Sequence, residues 1–174
     1  MNRFASVLLF ASLGLTFAAC DKKETPTTPT ALPPKFTATL LPSNEVPAVS
    51  NAEGSGSGTA TITFNLTKDS AGTITAATAD FSVTVTGFPN GTALTAAHIH
   101  PGVAGVNGSP AVNLALTAGE ITFATGSGTF NKNAITVTVD QANSILANPA
   151  AFYFNIHTPA NGGGVARGQL VRTQ

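Results

Sequence analysis

Three histidines stand in two short motifs, Ala96-Ala97-His98-Ile99-His100-Pro101-Gly102 and Tyr153-Phe154-Asn155-Ile156-His157-Thr158-Pro159. Along a strand, successive side chains alternate between faces. His98 and His100 therefore share a face opposite Ile99, while Tyr153, Asn155 and His157 share a face opposite Phe152, Phe154 and Ile156. If the two strands are neighbours, the three imidazoles converge. Neutral imidazole is a good ligand for Zn or Cu, so His98, His100 and His157 form a candidate metal set. With a reference imidazole pKa of about 6.5, protons are expected to compete with such a metal below about that pH. The same residues also admit a reading without metal. The imidazoles and Asn155 would then form a hydrogen-bonded network with Glu45, Arg167 and Gln169, holding the loops at one end of the domain.

Other chemistry finds little support. The one Cys, Cys20, lies near the N-terminus, and no G-x-S-x-G context for a nucleophilic Ser occurs. Gly54-Ser55-Gly56-Ser57-Gly58 and Asn161-Gly162-Gly163-Gly164 neither precede a helical pattern nor include a phosphate-binding Lys, so they read as hairpin loops. Acidic residues are too scattered to place a paired-carboxylate site. The chain is therefore not expected to be an enzyme.

The elements that must position the histidines are strands. From Phe36 onward, short alternating runs are separated by Gly, Asn and Pro. Thr59 to Thr67 sets Ala60, Ile62, Phe64 and Leu66 against Thr59, Thr61, Thr63 and Asn65, a half-buried strand with one wet face. Further strands are expected at Phe36–Leu41, Ile74–Phe88, Leu94–His100, Ala111–Leu116, Ile121–Phe130 with a break near Gly126, Ala134–Val139, Phe152–His157 and Val165–Val171. One short helix, Gln141–Ala147, is expected after an Asp140 cap and before Asn148-Pro149. About eight or nine strands at this spacing predict an all-β fold, a Greek-key β-sandwich or barrel-like sandwich. Phe64, Phe81, Val83, Phe130, Val137, Phe154 and Leu170 are its expected core.

Composition agrees. Of 174 residues, 8 are basic and 8 acidic, a charged fraction of 9% where soluble domains average roughly 25%. Surface polarity must come from Thr, Ser, Asn and Gly. There is no basic field to displace phosphate counterions, so nucleic acid is excluded as a partner. With 43% hydrophobic residues the chain has apolar material for one core.

The N-terminus reads as an address. Arg3 supplies a positive start, and Ser6 to Phe17 is an apolar stretch too short for a permanent membrane span. Residues 1–19 therefore read as a signal peptide. Phe17-Ala18-Ala19-Cys20 resembles the lipobox of bacterial lipoproteins, whose Cys is acylated and becomes the mature N-terminus. The resemblance implies that Cys20 is lipidated and that the membrane is a partner through that anchor. It places the protein in a bacterial cell envelope, periplasmic or surface-exposed. Residues 20–35 follow as a tether: Asp21 to Lys35 holds four Pro and four Thr, a composition biased to extended geometry that would reach about 45 Å at ~3.1 Å per residue.

Three segments carry a resemblance that covers residues 36–172: Ser43-Asn44-Glu45-Val46-Pro47-Ala48-Val49, the run AAHIHPGVAGVNG from Ala96, and FNIHTPANGGGVARGQL from Phe154. Together and in this order they resemble the chordin-type CHRD domain. Ala48 stands where that pattern often has a second Pro, and Val165 where it often has Glu. The resemblance implies an extracytoplasmic all-β module and carries no settled activity for bacterial members. Three readings follow. One is a binding or scaffold module of the envelope with an unidentified envelope or extracellular ligand. The second is a Zn- or Cu-binding domain using the three histidines, and the third is the metal-free polar network.

Overall fold

The computed structural model describes residues 31–174. The expected signal peptide, Cys20 and the tether up to residue 30 lie outside the described residues.

The strands are β1 (Lys35–Leu40), β2 (Ser57–Lys68), β3 (Ile74–Thr86), β4 (Thr92–Ala93), β5 (Ala96–Pro101), β6 (Val112–Asn113), β7 (Thr122–Phe123), β8 (Gly128–Val137), β9 (Phe152–His157), β10 (Ala166–Gln169) and β11 (Val171–Arg172). One helix, α1, spans Val139–Ala147. A five-stranded sheet runs β11-β1-β2-β3-β8 and a four-stranded sheet runs β10-β9-β5-β6, with β4 and β7 paired separately. The chain crosses between the two main sheets after β3, β6, β8 and β10, so both contribute to one core.

That core follows from strand parity. Phe36, Ala38 and Leu40 of β1, Ala60, Ile62 and Phe64 of β2, and Phe81, Val83 and Val85 of β3 all point inward from the larger sheet. Ala97, Ile99, Phe154 and Ile156 answer from the smaller one. Phe81 meets Phe154 across the interface with ring centroids 5.7 Å apart. All seven expected core residues are buried, and the all-β sandwich is the fold.

Several expected boundaries are corrected. Eleven strands replace the eight or nine expected among the described residues because four are two-residue pieces. Ala111–Leu116 yields only Val112–Asn113, since the Asn113 side chain accepts from Ala115 N at 2.8 Å and Ala115 turns to φ 50°. Ile121–Phe130 and Ala134–Val139 were expected as separate strands; residues 128–137 are continuous through a bulge. There Asn133 and Ala134 oppose the single Asp80, whose carboxylate takes the Ala134 N–H at 2.7 Å. Val165–Val171 divides between the two sheets at buried Leu170, whose N–H donates to Phe152 O. The helix cap is Thr138, not Asp140: Thr138 Oγ1 accepts from Gln141 N while Gln141 Oε1 accepts from Thr138 N. Asp140 falls in the first turn instead.

Candidate metal centre and the adjoining polar cluster

β5 and β9 are antiparallel neighbours, with His98 opposite Asn155, His100 opposite Tyr153 and Ala96 opposite His157. Cross-strand partners share a face. The three imidazoles therefore gather on the face of the smaller sheet turned away from Ile99, Phe154 and Ile156. One ring nitrogen from each lies within 4.8 Å of the others. His100 and His157 are buried and His98 is half-buried.

Backbone carbonyls fix two of the rings. His100 Nδ1 donates to Gly108 O at 2.8 Å, and His157 Nδ1 donates to Gly162 O at 3.0 Å. A carbonyl only accepts, so Nδ1 carries the proton in both and each Nε2 keeps its lone pair. His157 Nε2 lies 3.0 Å from His98 Nδ1, and His100 Nε2 is buried with no partner. Asn155 Oδ1 also stands 2.9 Å from His157 Nε2. Two acceptors at that distance require either the rotated amide or a cation between them.

Burial holds all three imidazoles neutral. It lowers the His98 pKa to about 4, aided by repulsion from His157 and His100. Burial also lowers His157 and His100, outweighing the carbonyl bonds that favour their charged forms. The proton competition expected below about pH 6.5 is therefore moved to more acidic pH.

The glycines of the two motifs supply the carbonyls through loops that are themselves pinned. Glu53 Oε2 accepts from Thr158 Oγ1 at 2.6 Å and from Asn161 Nδ2 at 2.5 Å, fixing the loop that carries Gly162. Tyr153 OH accepts from Gly108 N at 3.3 Å and its ring stacks on His100 with centroids 4.9 Å apart and planes 3° from parallel.

One strand further along the sheet, Arg167 faces Asn155 and Gln169 faces Tyr153. The Arg167 guanidinium lies 4.5 Å from the Tyr153 ring centre. Its Nε donates to Asn44 O at 2.6 Å and its Nη1 to Asn107 Oδ1 at 2.7 Å. Glu45 Oε2 is 3.9 Å from Arg167 Nε, so Glu45 supplies the carboxylate that Val165 does not. Gln169 Nε2 donates to Gly102, Ala150 and Phe152 carbonyls. Of the expected network residues, Asn155 joins the imidazoles, Glu45 and Arg167 form a separate pair, and Gln169 ties down backbone. Asn107 and the two Gly carbonyls carry no side-chain pattern that would have singled them out.

The three motifs that build this face, Glu45-Val46-Pro47, His98-Ile99-His100 and Arg167-Gly168-Gln169, all fall inside the match of the CHRD domain family model, residues 36–170. The chain belongs to the CHRD domain family. No curated protein and no solved structure matches it. CHRD membership supports, at a general level, a role as a binding or scaffold module.

Proposed function

We propose that this CHRD-domain chain is a lipid-anchored, extracytoplasmic binding module of a bacterial cell envelope, and that His98, His100 and His157 hold a transition-metal ion, Zn or Cu. One observation carries the metal reading: His100 Nε2 is buried without a partner while its Nδ1–H is committed to Gly108 O. An N–H to carbonyl bond on the far ring nitrogen is the arrangement that orients a metal-ligating imidazole and raises its basicity. His157 is held the same way. His98 completes the set by releasing its contact to His157 and moving its proton to the other ring nitrogen. A bound Zn or Cu(II) would offset the cost of keeping three lone pairs in one half-buried space, and ligand nitrogens on a tetrahedral ion stand about 3.4 Å apart. The lipobox-like Ala18-Ala19-Cys20 and the Pro/Thr-rich tether support the envelope location.

Zn and Cu(II) titrated into EDTA-treated wild type, His100→Ala and His157→Ala at pH 7.5 test this. Wild type should take up one equivalent, and each variant should lose most of its affinity as three protein ligands become two. A metal-free network predicts otherwise: each variant would lose roughly 1–3 kcal/mol of stability per unsatisfied buried partner, with no metal dependence. Equal weak binding in all three proteins would overturn the metal centre.

A further inference from the structure

Beside the imidazole face lies a separate cleft of about 290 Å³ between the Ser43–Val46 segment and the Val103–Val106 turn, with Glu45 and Arg167 at its base. Both side chains are at least nine-tenths buried, at 6% and 2% exposure. Each leaves one polar atom without a partner, Glu45 Oε1 and Arg167 Nη2. Unpaired buried acceptors and donors are costly, and two on residues that line one cleft call for a common explanation. The rim is mixed, with Val46, Ala104 and Gly105 standing beside Ser43 and Asn44. Val46 is one of the five large hydrophobic residues exposed among the described residues. A concave cleft with a few convergent polar groups is the usual anatomy of a small-ligand site.

The geometry points to a binding site for an uncharged ligand carrying an amide group, its carbonyl accepting from Arg167 Nη2 and its N–H donating to Glu45 Oε1. Three features select that chemistry. Arg167 has spent Nε on Asn44 O and Nη1 on Asn107 Oδ1 and, at 3.5 Å, Val106 O, so the one nitrogen left to donate is Nη2 and not the two-nitrogen fork that captures a carboxylate or phosphate. The Glu45 carboxylate offsets the guanidinium charge from 3.9 Å, so a net charge on the ligand would meet an opposing one. An amide presents one acceptor and one donor on separate atoms with no net charge. Gly164 permits the arrangement, since a Cβ there would stand 2.6 Å from Glu45 Oε1 and displace the carboxylate. The walls are already bridged by Asn107, whose Nδ2 donates to Val46 O at 2.8 Å while its Oδ1 takes the Arg167 proton.

Amides reach an envelope protein from two sources, acetamido sugars and peptides. Three probes separate them in titrations monitored by NMR at pH 7.5: tri-N-acetylchitotriose, the blocked peptide N-acetyl-alanyl-alanine amide, and cellotriose, which has the hydroxyls without the amide. EDTA-treated full mature chain removes any dependence on the metal centre. At least one amide probe should shift resonances of the 43–46 and 103–106 segments, and cellotriose should not. Glu45→Gln should weaken that binding about tenfold or more, the share of one charge-assisted hydrogen bond. Ala104→Trp, placed on an exposed residue of the rim, should abolish it while leaving the melting temperature unchanged. Failure of both amide probes at millimolar concentration, equal binding of cellotriose, or binding that survives Ala104→Trp would overturn the proposal.

Discussion

Glu45 and His98 titrate in opposite senses over the same pH range, and the sign of each follows from burial. Glu45 has its pKa raised to about 7, chiefly by desolvation, with the Arg167 charge opposing. The folded state then holds a proton that the unfolded chain has lost, so its contribution is full below the unfolded value near 4.5 and disappears as pH rises toward 7. His98, lowered to about 4, does the reverse. Its contribution is full above about 6.5 and is lost as pH falls from there toward 4. In wild type the two trends work against each other. Glu45→Gln removes one of them, so its urea midpoint should climb from pH 4.5 to 7 while the wild-type midpoint stays flatter; identical profiles would show that the carboxylate is not held as described. At this scale much was legible in advance, because the two-residue strand period alone assigns His98, His100, Asn155 and His157 to their faces. The carbonyls of Gly108 and Gly162 were not, since the direction of a backbone carbonyl in a loop leaves no mark in residue type. Nor was the pairing of Glu45 with Arg167 separable from the imidazoles until the strand order was known.

The faces of β5 and β9 and the inward face of β2 follow directly from alternation, whereas the pairing and register of β5 with β9 came only with the structure. Short pieces such as β4, β6 and β7 were not readable, because a two-residue strand has no period to detect. The Thr138 cap was present in the sequence as Thr-x-x-Gln, yet Asp140 competed with it at the same helix start. A closer dependence on packing appears at Gly168 in β10. A Cβ there would run into the backbone of Thr39, carbonyl oxygen and carbon both. Leu41 and Arg167 bridge the two sheets next to it, Leu41 N donating to Arg167 O at 3.1 Å. Backbone cannot swing aside as a side chain can, so Gly168→Ala must push β10 off β1 and carry Arg167 with it. The expected cost is roughly 1–3 kcal/mol or more, the range for overpacked interiors. Gly163, around which nothing lies within 4 Å, is the control. Gly163→Ala should leave thermal unfolding nearly unchanged, and equal melting temperatures for the two variants would refute the close approach.

In the proposed reading the whole molecule joins a β-sandwich to a membrane address. Among the described residues, every member of the hydrophobic core lies at Phe36 or beyond. Among the described residues no helix is long and apolar enough to cross a membrane. In the lipoprotein reading, attachment rests on acyl chains at Cys20, each buried methylene contributing ~0.8 kcal/mol, and several chains together bind almost irreversibly. A chain with 9% charged residues and no net charge offers little electrostatic attraction to anionic lipid as a substitute. Attachment and folding should therefore separate cleanly under one substitution. Cys20→Ser should move the protein from the membrane pellet to the soluble fraction, or leave an unprocessed precursor, while its thermal unfolding and any Zn or Cu uptake match the lipid-free wild-type domain. Retention of the Ser variant in membranes after a high-salt wash would mean that something other than an acylated thiol holds it there. A lowered melting temperature would mean that the domain leans on residues before Phe36 after all.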